Sequence, residues 1–192
     1  MVFGFGKKKE RFVVATVLVA VDGDAVAAVR ERAKRATDAI VAADGDFDVA
    51  SAEVEGVARV LLDHQIDWTH AALGGDVVDD EASASDAVDD VYADLAGRYL
   101  ADEHGADNKD VVTGPGDRRV VVVVTVAYAG ENADIERDLN DRGDVDTALR
   151  AIAALHQRDA LLAAQVHVAP AHPEDLLTDE QLLVCFPELM VL

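Results

Sequence analysis

The sequence predicts an α/β domain, with α+β as the alternative: about four strands in a mixed sheet, covered by helices. Three observations carry this. Phe12–Val21 and Arg119–Tyr128 are almost unbroken β-branched runs, the pattern of strands buried on both faces. Segments with apolar residues at helical spacing alternate with such runs. With 192 residues, 51% of them hydrophobic, the chain can bury a sizeable core as one domain.

Phe12–Val21 reads FVVATVLVAV and is closed by the turn residues Asp22-Gly23-Asp24. Val26, Val29, Ala33, Ala36, Ile40 and Val41 then recur at helical spacing, with Asp24 at the N-cap. After an Asp/Gly-rich break, Val54, Val57, Leu61 and Leu62 mark a second helix. Trp68–Leu73 is a short apolar strand, and Gly74-Gly75-Asp76 reads as a turn. Ala84, Ala87, Val88, Val91, Tyr92, Leu95, Tyr99 and Leu100 give the clearest amphipathic helix. Residues 102–117 hold Gly105, Gly114, Pro115 and Gly116 without periodicity, a linker between halves 12–101 and 118–192.

The second half opens with the strand Arg119–Tyr128, central by its composition. Gly130–Gly143 is polar, a loop with one helical turn. Val145, Ala148, Leu149, Ile152 and Ala153 mark a helix entered through Asp144. Leu161–Ala169 is a strand stopped by Pro170. Thr178 and Gln181 make a capping box ahead of Leu182–Phe186, and Pro187 ends that turn. Cys185, inside it, belongs to packing. Each half thus reads strand, helix, strand, helix. Arg59 with His64-Gln65-Ile66-Asp67, and Arg150 with His156-Gln157-Arg158-Asp159, precede the second strand of each. An internal duplication and chance self-similarity of Ala/Val/Asp-rich sequence both account for this.

The net charge of −21 rests on 27 Asp and 11 Glu; lysines number five. Such a surface repels nucleic acid and anionic lipid. Adaptation to high salt and a docking face for a basic partner both explain it, and the even spread along the chain favours salt. A single cysteine excludes an internal disulfide framework. No run of 18 apolar residues suggests a transmembrane segment, and Met1–Arg11 lacks a signal-peptide apolar core, so a cytoplasmic protein is expected. Residues 1–11 read as a flexible basic terminus. Phe3, Phe5, Lys7, Lys8 and Lys9 could give it a weak peripheral membrane contact.

Candidate sites are few. Asp44, Asp46, Asp48 and Glu55 occupy positions 1, 3, 5 and 12 of a calcium-loop pattern between two helices. Val49 stands where that loop needs glycine, and an acidic interhelical loop with Asp48 or Ser51 as cap explains the same residues. His70 and His167 fall in strands and could share a sheet face, but no HExxH or CxxC spacing accompanies them. His64 and His172 are their neighbours. Cys185 lies among Asp179, Glu180 and Glu188, which disfavour a thiolate. Gly74-Gly75-Asp76 and Gly114-Pro115-Gly116 lack phosphate-loop spacing. The acids from Asp76 to Asp90 suit a helix N-terminus, a Mg²⁺ ion or a basic partner equally.

In order and spacing, several segments resemble an uncharacterised family, domain of unknown function 1517, of cyanobacteria and chloroplasts. The strand ending VLVAV, the helix through Val54–Leu62 and Trp68-Thr69-His70 are similar to the family's first half. Val120–Ala127 resembles its central valine-rich strand. Leu161–Pro170 and Leu176–Leu192 resemble its closing strand and its Leu-Thr, Asp-Glu, Leu-Leu, Pro-x-Leu ending. Family members often carry a Gly-rich region and a membrane segment upstream, where this chain has MVFGFGKKKE. The family is similar to a chloroplast protein implicated in acclimation to fluctuating light. The resemblance implies no catalytic residues.

Without a catalytic constellation or a cofactor motif, the chain reads as a non-enzymatic protein-interaction or regulatory module binding a protein partner or itself. The alternative is a small-molecule-binding or metal-dependent enzyme using His70, His167 and acidic neighbours. A deep pocket with those groups converging favours the enzyme, and a flat apolar patch or a pairing edge strand favours the module.

Overall fold

A computed structural model describes residues 11–103, 119–158, 160–172 and 175–192. Its strands are β1 (Phe12–Val21), β2 (Trp68–Val78), β3 (Val120–Ala129), β4 (Leu161–Ala169) and β5 (Met190–Val191). They form one sheet in the order β4-β3-β1-β2-β5, antiparallel throughout. The expectation of about four strands in a mixed sheet is corrected on both counts. β5 is two residues long and pairs only with His70 and Ala71, too short to display a period of two. The directions follow from the connections. After β1, helices α1 (Ala25–Ala42) and α2 (Phe47–Asp63) run out and back. The chain then re-enters the sheet at the end it left, where Asp22 N–H donates to the Asp67 carbonyl at 3.1 Å. After β3, loop 130–141 and α4 (Arg142–Ala153) make the same return, and Ala129 N–H donates to the Ala160 carbonyl at 2.9 Å.

Both faces of the sheet are covered. Val13, Val17, Val19 and Val21 of β1 pack with α1, α2 and α4, whereas Val14, Leu18 and Ala20 pack under α3 (Glu81–Glu103) and α5 (Asp179–Cys185). β3, between β1 and β4, is buried from Val120 through Tyr128, as its composition predicts. Each such valine contributes about 1.5–3 kcal/mol of apolar burial. Trp68 opens β2 almost fully buried, and its indole N–H donates to the Leu61 carbonyl at 3.0 Å, so its polar atom is satisfied.

Asp46 caps α2 by accepting from Asp48 and Val49 N–H. The Thr178–Gln181 capping box of α5 forms in both directions. At α4 the entry through Asp144 is corrected: Asp141 is the N-cap and Asp144 the third residue of a reciprocal box. Asp144 reaches back to the Asn140 and Asp141 N–H groups, which makes it resemble a cap in sequence.

The halves follow the same local course. A register shift marks Val21 opposite Trp68 and another Tyr128 opposite Leu161. The His-Gln phrases fall at 3₁₀ turns, Gln65–Asp67 and His156–Arg158, just ahead of β2 and β4. Arg59 pairs with Glu55 and Arg150 with Asp146, each one helical turn back. Residues 102 and 103 of the expected linker end α3; the rest of it, like Phe3, Phe5, Lys7, Lys8 and Lys9, lies outside the described residues.

Candidate functional site

The sheet has two edges, and they differ. β4 is roofed on both faces. Thr37 of α1 donates its hydroxyl to the outward Val166 carbonyl at 2.7 Å, and Gln165 donates to Asp89 of α3 at 2.6 Å. A groove of about 520 Å³ remains beside it, between Val41 and Phe47 of the α1–α2 elbow and Tyr92 of α3.

Among the described residues the other edge is open. β5 covers β2 only at its beginning, where Leu192 N–H donates to the Thr69 carbonyl at 3.0 Å. In an antiparallel ladder the outward backbone groups alternate. Thr69 and Ala71 face β5, so Leu73, Gly75 and Val77 direct their N–H and C=O outward from the sheet. Among the described residues no strand pairs with this stretch. Gly74, Gly75 and Asp76 are exposed, and Val77 is 56% exposed.

Gly75 sits tight against β1: a Cβ there would come 2.6 Å from the Val14 carbonyl oxygen. Gly74-Gly75-Asp76 is not the turn its composition predicts. It is the middle of β2, opposite Thr16, Ala15 and Val14. The available signal was the Val77-Val78 pair beyond it, since a glycine between β-branched runs marks close backbone approach as readily as a turn.

A groove opens on each face beside this edge. On the α4 side one of about 370 Å³ is lined by Val13, Leu73 and Val77 and by loop residues Ile135–Asp138, with Arg11 across from them. On the α3 side one of about 280 Å³ is lined by Leu18, Ala72, Ala87, Val91 and Leu95. Glu136 fixes the loop over the first groove. It pairs with Arg11 at 2.6 Å and accepts from Tyr128 Oη at 3.0 Å and Asn132 N–H at 2.7 Å. Burial, and the Glu136 carboxylate that accepts its proton, push the Tyr128 hydroxyl well above its usual range. Arg137 pairs with Asp144 at 3.2 Å. Among the described residues neither groove is lined by His, Cys or Ser. Chemically, the edge can hydrogen-bond an extended backbone and take alternate side chains into two grooves.

The sequence-derived candidates lie elsewhere. Asp44 and Asp46 are in the α1–α2 elbow, but Asp48 is in the first turn of α2 and Glu55 lies farther along that helix, paired with Arg59. Helix from Phe47 onward replaces the loop that would wrap an ion, and the cap is Asp46 rather than Asp48 or Ser51. Among the described residues no group of three His, Cys, Asp or Glu is placed to hold a metal.

His70 pairs opposite Ala20 and His167 opposite Val123, so both lie on the α3/α5 face. Two strands and a two-residue offset separate them, which puts them about 16 Å apart at the usual strand spacing and rise. His70 Nδ1 is 3.1 Å from Thr69 Oγ1; burial, and then the Arg119 charge, lower its pKa. His167 stacks edge-on against Tyr92, ring centroids 5.5 Å apart, and burial lowers its pKa. Neither histidine lines these grooves. His64 lies 3.6 Å from Asp67, and Cys185 is buried under Phe186 and Leu182 in the second core cluster. Asp80 accepts from Ser83 N–H at the start of α3. Gly114-Pro115-Gly116 lies outside the described residues.

No helix among the described residues is long and apolar enough to cross a membrane. Among curated proteins and among solved structures, nothing matches the chain. Residues 42–192 match the model of the family described as protein of unknown function (DUF1517), and the chain belongs to that family.

Proposed function

We propose that this chain is a non-enzymatic protein-interaction or regulatory module of the cytoplasm that docks an extended polypeptide segment along the open edge of β2. The observation that carries the reading is the row of outward backbone groups at Leu73, Gly75 and Val77, flanked by a groove on each face. Main-chain hydrogen bonds to such an edge supply affinity, and alternating pockets supply selectivity. Proteins normally blunt an edge with charge, proline or a cover. Here glycines and an exposed valine leave it accessible, which is the arrangement of a strand kept for pairing. The acidity is read as adaptation to high salt, because carboxylates occur on each of the helices α1 to α5 and in the loops between them rather than in one run.

The test is Val77→Pro. Its N–H points outward, so the substitution removes one edge donor and leaves the β1–β2 ladder intact. Proteins, including further copies of this chain, retained by immobilised wild type at matched salt should be lost with Val77→Pro. An unchanged retained set overturns the reading.

The two halves are further read as an internal duplication packed about a pseudo-twofold axis between β1 and β3. The matched strand directions, bulges and 3₁₀ turns support this. Superposing residues 12–100 on 119–186 tests it; Trp68 failing to fall on Leu161 would overturn it.

A further inference from the structure

We propose that the segment seated on this edge is β2 of a second copy, antiparallel, about a twofold axis through Gly75. The inference rests on the edge-docking reading above and adds the identity of the occupant.

The outward residues Leu73, Gly75 and Val77 are symmetric about Gly75. A twofold there sets Leu73 opposite the partner's Val77 and Gly75 opposite the partner's Gly75, all as hydrogen-bonded pairs. Leu73 and Val77 lie on the α4 face of the sheet, so apolar meets apolar, and the exposed Val77 is covered. On the other face Asp76 falls opposite the partner's Gly74, which has no side chain. Moving the axis one residue toward α3, a two-residue slip of one strand past the other, would set Asp76 against the partner's Asp76, two like charges directly opposed. A slip the other way would drive the incoming strand toward β5.

The open slot runs from Leu73, just past β5, to Val78, where β2 ends at the bend before α3. The strand that would fill it is the same six residues. In the Gly75-centred register the partner's Val78 comes opposite Ala72, and the partner chain turns away where β5 begins.

The chain as a whole carries −21. The α4-side groove by contrast sets Arg11 and Arg137 beside Glu136 and Asp138. A twofold brings this lining, whose arginines are already ion-paired within each copy, against its own copy, so no single uncompensated sign meets itself there. The repulsion between the remaining acidic surfaces is long-range, and salt screens it, with a Debye length of about 10 Å at 0.1 M and about 3 Å at 1 M. A second copy also meets the geometric condition of a closed, isologous pair, with each strand filling the other's slot once.

Light scattering on the full chain tests this at 0.05 M and 2 M KCl. Wild type should move from the monomer mass of 20.4 kDa toward twice that value as salt rises. Val77→Pro should stay at the monomer mass at both salts. Register is tested by disulfide formation, since Gly74 has open space for a side chain and Cys185 is buried. Gly74→Cys mixed with Asp76→Cys should give a cross-linked pair on mild oxidation, and neither protein alone should. Wild type that is monomeric at every salt overturns the proposal. So does a dimer that survives Val77→Pro, or cross-linking equal in the unmixed samples. If wild type stays monomeric while Val77→Pro still loses other retained proteins, the self-pairing fails and the edge-docking reading stands.

Discussion

Adjacent glycines in β2 make opposite demands. A Cβ on Gly75 would meet the Val14 carbonyl oxygen at 2.6 Å, a backbone atom held by the ladder, whereas a Cβ on Gly74 meets nothing within 4 Å. Gly75→Ala must push β2 off β1 and should destabilise by about 1–3 kcal/mol, as overpacking does. Gly74→Ala should be neutral or stabilising by up to about 1 kcal/mol, because it restricts the unfolded chain. Urea denaturation of both variants checks this, and equal effects would refute the close-approach account. The histidines set a pH dependence at the same scale. Burial lowers the pKa of His167, and burial with the Arg119 charge lowers that of His70. The unfolded chain therefore takes up protons first as pH falls through about 6.5. The stability is fully present above that value and declines as pH drops toward the folded pKa values. Stability measured from pH 7.5 to 5 should fall, and His167→Gln should flatten part of the slope; an unchanged slope would remove His167 as a cause.

At the scale of elements, capping decides where α2 begins. Asp46 satisfies the Asp48 and Val49 N–H groups, so Asp46→Ala should cost about 1 kcal/mol, while Asp48→Ala should cost less. The reverse order in thermal melts would return the cap to Asp48. The elements that sequence displayed well are those with a strong period. β1, β3 and the Thr178–Gln181 box are where β-branched runs and cap residues place them, because the same side chains that set the pattern also make the core contacts. β2 was legible through Leu73 and lost at Gly74, since glycine has no side chain to carry a period and Asp76 reads like a turn residue. β5 carries two residues of signal. The candidate edge was illegible for a different reason. Whether a strand is central or at an edge depends on which strand lies beside it, and among the described residues none lies beside Leu73–Val78 because β5 stops at Ala71. The acidic loop at 44–55 had the spacing of a site, but helix from Phe47 onward disperses it.

For the whole molecule the dominant quantity is the charge of −21. Folding draws those carboxylates together, so at low ionic strength self-repulsion opposes the compact state. At 0.05 M the screening length exceeds 10 Å and spans several surface residues; at 1 M it is about 3 Å, and little beyond a neighbour is felt. Tm should therefore rise between 0.05 M and 1 M KCl, each kcal/mol of relieved repulsion appearing as about 2–4 °C in a chain of this size. A charge spread for salt adaptation and a charge gathered for docking make different demands on single residues. If the acidity is distributed, Glu31→Gln on α1 and Asp90→Asn on α3, both exposed, should raise Tm by similar small amounts at 0.05 M KCl and by nothing at 1 M. If one face is concentrated for a basic partner, Asp90→Asn, within the run of acids from Asp76 to Asp90, should act alone. Melting curves of the two variants at both salts decide between them. The distributed outcome is also the one under which high salt lets two copies approach closely enough to pair at β2.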